Sequence, residues 1–280
     1  MHFFFWTAWA VVGFFALLGL MVDAAGILEI DQAFPRPNGN YAPTSSMPII
    51  FAFRNAELAR FLNPSIVYYI LDLNETGSGR GMSSHAHHLT WKTNWSSSEP
   101  YFAYTFFGNF TKESSWKLSA DIFWQSCDEN DFGPGRNNIH TNGSSWNVEF
   151  QTSNEGQKVD LVAATANDTA CPKEIGVAIN VTDTTMKVPP GMSWNGQANG
   201  TCVVVASSTP TQTANPCLVK IDAAAAASMT AARLCHSLYP PSNCTSENTG
   251  QRLAVASLAC FTAGLGALLS ISYLLGLDGL

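Results

Sequence analysis

The chain is poor in charge. Charged residues make up 12% of its 280 residues, about half the usual quarter, and no Lys or Arg occurs before Arg36 or after Arg252. The 14 basic residues are outnumbered by 21 acidic ones, which excludes the basic footprint of a nucleic-acid partner. There is no Cys-x-x-Cys pair, and seven cysteines at wide, uneven spacings do not make a zinc site. There is no Gly-x-Ser-x-Gly either, so the nucleophile elbow of serine hydrolases has no counterpart. Helical periodicity is nearly absent: only Ala223 to Leu234, with Asp222 as its N-cap, reads as helix.

Apolar runs are concentrated at the two ends. Phe3 to Met21 is almost unbroken and leads into the small-x-small pattern Val22-Asp23-Ala24, so residues 1–24 read as a secretory signal peptide, with an uncleaved signal anchor as the alternative. Residues 253–277 form a second apolar run, long enough to cross a bilayer. It lacks the cytoplasmic Lys or Arg that usually follows a stop-transfer helix. The small, polar stretch before it supplies attachment candidates Ser242, Asn243, Ser246 and Asn248 for a glycosylphosphatidylinositol (GPI) anchor, which we expect in preference to a transmembrane helix. The membrane is thereby an expected partner.

The middle of the chain carries the marks of the same route. Eight Asn-x-Ser/Thr acceptors stand at Asn74, Asn94, Asn109, Asn142, Asn167, Asn180, Asn199 and Asn243, and each one that is used must lie at the surface. With Cys260 inside the apolar tail, Cys127, Cys171, Cys202, Cys217, Cys235 and Cys244 form an even set for an oxidising compartment. Sequence leaves the pairing open; proximity favours Cys202 with Cys217, Cys235 with Cys244 and Cys127 with Cys171.

Between the ends the text is short, β-branched and aromatic. Leu28 to Ile30, Pro48 to Phe53, Ser65 to Leu73, His87 to Trp91, Tyr101 to Phe107 and Trp116 to Trp124 are strand candidates separated by turn residues. In the last, Trp116, Leu118, Ala120, Ile122 and Trp124 share one face, while Lys117, Ser119 and Asp121 share the other. These spacings predict an all-β chain with an immunoglobulin-like β-sandwich over residues 27–153. A further group of strands follows at Asn147 to Gln151, Lys158 to Ala164, Gly176 to Val181 and Thr201 to Ala206; it either finishes this sandwich or forms a second, smaller disulfide-linked β region over residues 154–246, with the Ala-rich helix near its end.

Few residues suggest chemistry. On a strand, His85 and His87 project from one face and His88 from the other, so His85 and His87 are weak metal candidates that need a third ligand such as Asp72, Asp121 or His140. The alternative is a polar strand. Asp128, Glu129 and Asp131 crowd one loop, which reads as a solvated turn or a weak calcium site rather than the opposed acids of a glycosidase. Trp116 and Trp124 read as core; Trp95, Trp146 and Trp194 read as exposed rings able to stack on sugars. No catalytic residue and no cofactor is implied.

Several phrases resemble one family closely: LEIDQAFPRPNGNYAPTSSMPIIFAF from Leu28, FLNPSIVYYI from Phe61, VDLVAATAN from Val159, GVAINVTDT from Gly176 and the cysteine-flanked run from Cys202 to Cys235. They are similar to fungal secreted proteins grouped as domain of unknown function 7136. The resemblance implies a fungal source, a signal peptide and often an apolar C-terminal tail, and it carries no catalytic residues over. The expectation is a cell-surface glycoprotein serving as a structural or interaction module of the cell wall or plasma membrane. The alternative is a carbohydrate-binding or carbohydrate-active protein working on wall or plant polysaccharide.

Overall fold

A computed structural model describes residues 26–75, 82–90, 93–95, 98–128, 139–166, 175–187, 201–206 and 214–235. The expected signal peptide, attachment candidates and apolar tail lie outside these residues, as do Asn167, Asn199, Asn243, Cys171, Cys244 and Trp194.

The strands are β1 (Gly26–Phe34), β2 (Asn40–Tyr41), β3 (Met47–Arg54), β4 (Ser65–Asp72), β5 (Ser83–His88), β6 (Tyr101–Phe107), β7 (Ser114–Cys127), β8 (Ile139–Thr152), β9 (Gly176–Lys187) and β10 (Thr201–Val205). Hydrogen bonding orders them in two layers, β6-β3-β1-β9-β10 and β5-β4-β7-β8-β2, which meet where Val204 of β10 pairs Cys127 of β7. The layers face one another through side chains: Phe51 packs on Tyr68 with ring centroids 5.3 Å apart, and Trp146 Nε1 donates to Gln32 Oε1 at 2.9 Å. The all-β class is as expected. Among the described residues ten strands stand where immunoglobulin domains have seven or nine, so a mostly antiparallel two-layered arrangement carries over and the strand order is the chain's own.

Two expectations about organisation change. The strands of the second β region build no sheet of their own, because β9 pairs β1 along Gly26–Asp31 and β10 pairs β9 and β7. The turn-rich gaps that suggested a boundary are connections within one sheet network. Lys158 to Ala164, expected as a strand, contains the start of helix α1 (Leu161–Ala166). There Asp160 Oδ1 accepts from Ala163 N at 3.0 Å, and this cap with the following Ala-Ala-Thr-Ala outweighs the local β pattern.

The helix expected at residues 223–234 is α2 (Ala223–Cys235), capped by Asp222 through Ala225 N at 2.7 Å. It belongs to a separate compact unit that begins at Asp222. Among the described residues no helix is long and apolar enough to cross a membrane.

The disulfides also depart from sequence proximity. Cys127 bonds Cys202, across a separation of 75 residues and with Cα atoms 5.9 Å apart. This excludes Cys127 with Cys171 and Cys202 with Cys217. The sheet brings the end of β7 beside β10, and strand neighbourhood rather than chain distance selects the partner. Closing so long a loop is worth about 4 kcal/mol in the chain-entropy account. Cys217 and Cys235 are each disulfide-bonded as well.

Candidate functional site

The histidine cluster lies on β5, at the edge of the second layer, where β5 pairs β4 in register from Ser65↔His88 to Ile70↔Ser83. His85 and His87 point inward and His88 outward. The inward rings lie 4.8 Å apart, and His87 stacks on Tyr68 at 5.9 Å. Burial, reinforced by the neighbouring histidines, lowers the pKa of His87 to about 3, and burial lowers that of His85 too. His87 Nε2 lies 3.4 Å from Thr105 Oγ1 of the facing layer. Among the described residues no three His, Cys, Asp or Glu side chains converge. Asp72 is held by Lys112 and Ser114, Asp121 faces outward on β7, and His140 is exposed on β8. The inward histidines are thus part of the packing between the layers.

The tryptophans divide differently from expectation. Trp116 is core as read, whereas Trp95 and Trp146 are 1% and 6% exposed and cannot present a stacking surface. Trp146 faces inward because its strand register places it opposite Ala120, and Trp95 packs on Phe53 at 5.4 Å. Neighbouring glycan acceptors were a poor guide: Asn94 is exposed while the residue after it turns inward. Trp124 is half-buried.

Among the described residues, Tyr69 and Phe123 are the Phe, Tyr and Trp rings with the most exposure, and neither stands out by its neighbours in sequence. Phe123 is 41% exposed and Tyr69 37%, and both sit on the outer face of β4, β7 and β8. The signal lies in the alternation instead: Phe123 occupies the same register as Lys117, Ser119 and Asp121, an aromatic ring among polar positions. One row across this face runs His88, Ser65, Phe123 and Gly143, each paired with the next. The row through Tyr69 contains Ser84, Ser119 and Asn147, with Ser119 Oγ donating to Asn147 Oδ1 at 2.6 Å. Tyr69 lies four residues along the strand from the Phe123 row, roughly 14 Å.

A cleft of about 410 Å³ closes the Phe123 end of this face, within the roughly 300–1,000 Å³ usual for small-molecule sites. It forms where β4 and β8 begin and β5 and β7 end. Phe123, Trp124 and Leu89 give it apolar walls, and Asn63, Gln125 and Thr141 give it hydroxyl and amide groups. Ser65 Oγ and His88 Nδ1 lie 3.0 Å apart at its mouth. No carboxylate, Lys or Arg occurs among its described lining residues. The opposed acids of a glycosidase are therefore not found at this cleft. The loop acids Glu129 and Asp131 lie outside the described residues.

Besides Asp72 of β4, which Lys112 pairs, two further buried carboxylates lie in the other layer. Glu29 and Asp31 of β1 project from the outer face of the first layer beside Arg54 of β3, which binds both; its contact to Asp31 is 3.2 Å. The chain at Asn215 roofs them, with Asn215 O accepting from Arg54 at 3.2 Å and Asn215 N donating to Glu29 at 3.3 Å. Burial raises the Asp31 pKa to about 7, opposed by the Arg54 charge and aided by that of Glu29. A second cavity of about 370 Å³ near Arg36 and Tyr41 is lined by groups already engaged with the chain itself: Arg36 donates to Ala164 O and Pro216 O, and its backbone N–H to the Tyr41 hydroxyl.

Residues 23–244 match the family described as Domain of unknown function (DUF7136). The chain belongs to that family. The match takes in the ten described strands, the Cys127–Cys202 bond and the cleft, so the face just described lies within the family's own domain. No curated protein and no solved structure matches the chain.

Proposed function

We propose that the protein is a cell-surface glycoprotein that acts as an interaction module of the cell wall or plasma membrane, held there by its C-terminal anchor. The observation that carries this reading is the outer face of β4, β7 and β8. In a chain with eight glycan acceptors, no described acceptor occupies an outward position on these strands, although two aromatic rings do. Asn74 follows β4, Asn94 lies in the loop after β5, and Asn109 donates to Ser83 at the start of β5; all three are exposed. Glycans there border the face and leave it open. The apolar ends, the acceptors and the Cys127–Cys202 bond support an extracellular setting.

Three measurements test the reading. Antibody labelling of the surface and glycopeptide mass spectrometry are expected to place the protein outside the cell with sugars at Asn74, Asn94 and Asn109. Treatment with phosphatidylinositol-specific phospholipase is expected to release it. An unglycosylated protein confined to the cell interior would end this proposal.

A further inference from the structure

We infer that the cleft at the end of the β4–β7–β8 face binds an uncharged oligosaccharide, with the Phe123 ring as its stacking platform. The inference rests on the interaction reading above and names the chemistry of the partner. A pyranose has an apolar C–H face and a belt of hydroxyls that both donate and accept. The cleft offers the complement of each. Phe123 is open to solvent and leans over Gly143, where a Cβ would lie 3.2 Å from the ring. The missing side chain lets the ring lie this close against β8, with the rest of the ring open to solvent.

Around the ring stand the Ser65–His88 pair and the Asn63, Gln125 and Thr141 side chains. Two of the buried polar atoms that lack a hydrogen-bond partner belong to lining residues: Asn63 Oδ1, an acceptor, and Trp124 Nε1, a donor. Buried polar groups are seldom left unpaired, and turning either toward the cleft gives it a sugar hydroxyl. Charge selects against the other ligand classes. With no Lys, Arg, Asp or Glu among the described lining residues, an ionic ligand gains no counter-charge. A purely hydrocarbon ligand strips water from hydroxyl and amide groups without replacing their hydrogen bonds.

The experiment is calorimetric titration of the secreted, full-chain protein with laminarihexaose, chitohexaose and mannohexaose, with hexagalacturonate as the charged control. Saturable binding of at least one neutral hexaose is expected. Phe123→Ala is expected to weaken it by about tenfold or more, whereas Phe123→Trp retains it and both variants melt with the native protein. Thr141→Lys, which changes the cleft without touching the ring, is expected to weaken binding as well. Binding of no neutral hexaose, binding unchanged by Phe123→Ala, or preference for hexagalacturonate overturns the inference. Surface labelling separates the two readings: a displayed protein that binds no hexaose overturns the saccharide inference alone, and a protein never displayed overturns the extracellular reading whatever the titration gives.

Discussion

The outer faces of the two layers begin from the same material, alternating strands that put polar side chains on one side, and end in opposite states. On the first layer Glu29 and Asp31 are sealed beneath the Asn215 segment and share one counter-charge, Arg54. On the second, Asp121, Lys117 and Glu149 stay half-buried or exposed beside Tyr69 and Phe123. Sealing commits a polar group to its intramolecular partners, because each unmet hydrogen bond inside costs about 1–3 kcal/mol. Exposure leaves it free to meet something else. The first face is therefore sealed by the chain itself, and the second stays open to solvent.

The contrast can be broken most directly at its charges. Arg54→Met leaves two buried carboxylates without their cation and is expected to cost about 3–5 kcal/mol in urea unfolding. Lys117→Met on the open face is expected to change stability by no more than about 0.5 kcal/mol. Equal losses in the two variants would erase the distinction.

The next largest effect compares one glycine in each layer. A Cβ at Gly176 would lie 2.3 Å from Asp31 Oδ1, whereas one at Gly143 would lie 3.2 Å from the exposed Phe123 ring. Gly176→Ala is expected to cost about 2–3 kcal/mol because the buried carboxylate has nowhere to go. Gly143→Ala should cost less than about 1 kcal/mol, since the ring can swing into solvent. Thermal unfolding of the pair measures this.

In the native chain the two pH effects offset one another, so the smallest net effect, and the one that sharpens the comparison, is in pH. Asp31, with a folded pKa raised to about 7, binds a proton more readily folded than unfolded. Its stabilisation is complete below the ordinary carboxylate pKa and is lost as pH rises toward 7. His87, lowered to about 3, behaves in the opposite sense: its neutral form is favoured by folding, so stability falls as pH drops from about 6.5 toward 3. The two slopes, each up to about 1.4 kcal/mol per pH unit, oppose one another between about pH 4 and 6.5. Asp31→Asn is expected to leave stability rising with pH over that window, and His87→Gln to leave it falling. Parallel profiles for both variants would show that neither burial matters as described.

Much of the fold was legible. The alternation in Trp116 to Trp124 placed β7 and its inward face correctly, and Asp222 marked the start of its helix. Whether the later strands finish the first sandwich or form a second β region was not legible, because pairing between β1 and β9 spans some 150 positions of sequence, and turn residues mark where strands end without saying which strands will pair. The site was half legible. Phe123 stood out of pattern on a polar face, but proximity to glycan acceptors directed attention to Trp95 and Trp146, whose rings the register turns inward.

The sequence by itself determined the all-β class, most strand positions and their inward faces, and membership of the DUF7136 family, because periodicity and composition act locally. Tertiary structure alone decided that Cys127 meets Cys202, that Glu29 and Asp31 share Arg54 beneath Asn215, and that Phe123 stands over Gly143 at the mouth of a cleft. Each of these is a contact between strands or segments distant in sequence. Such contacts exist only after the sheet has chosen its register, and a one-residue slip would turn every one of these side chains to the opposite face.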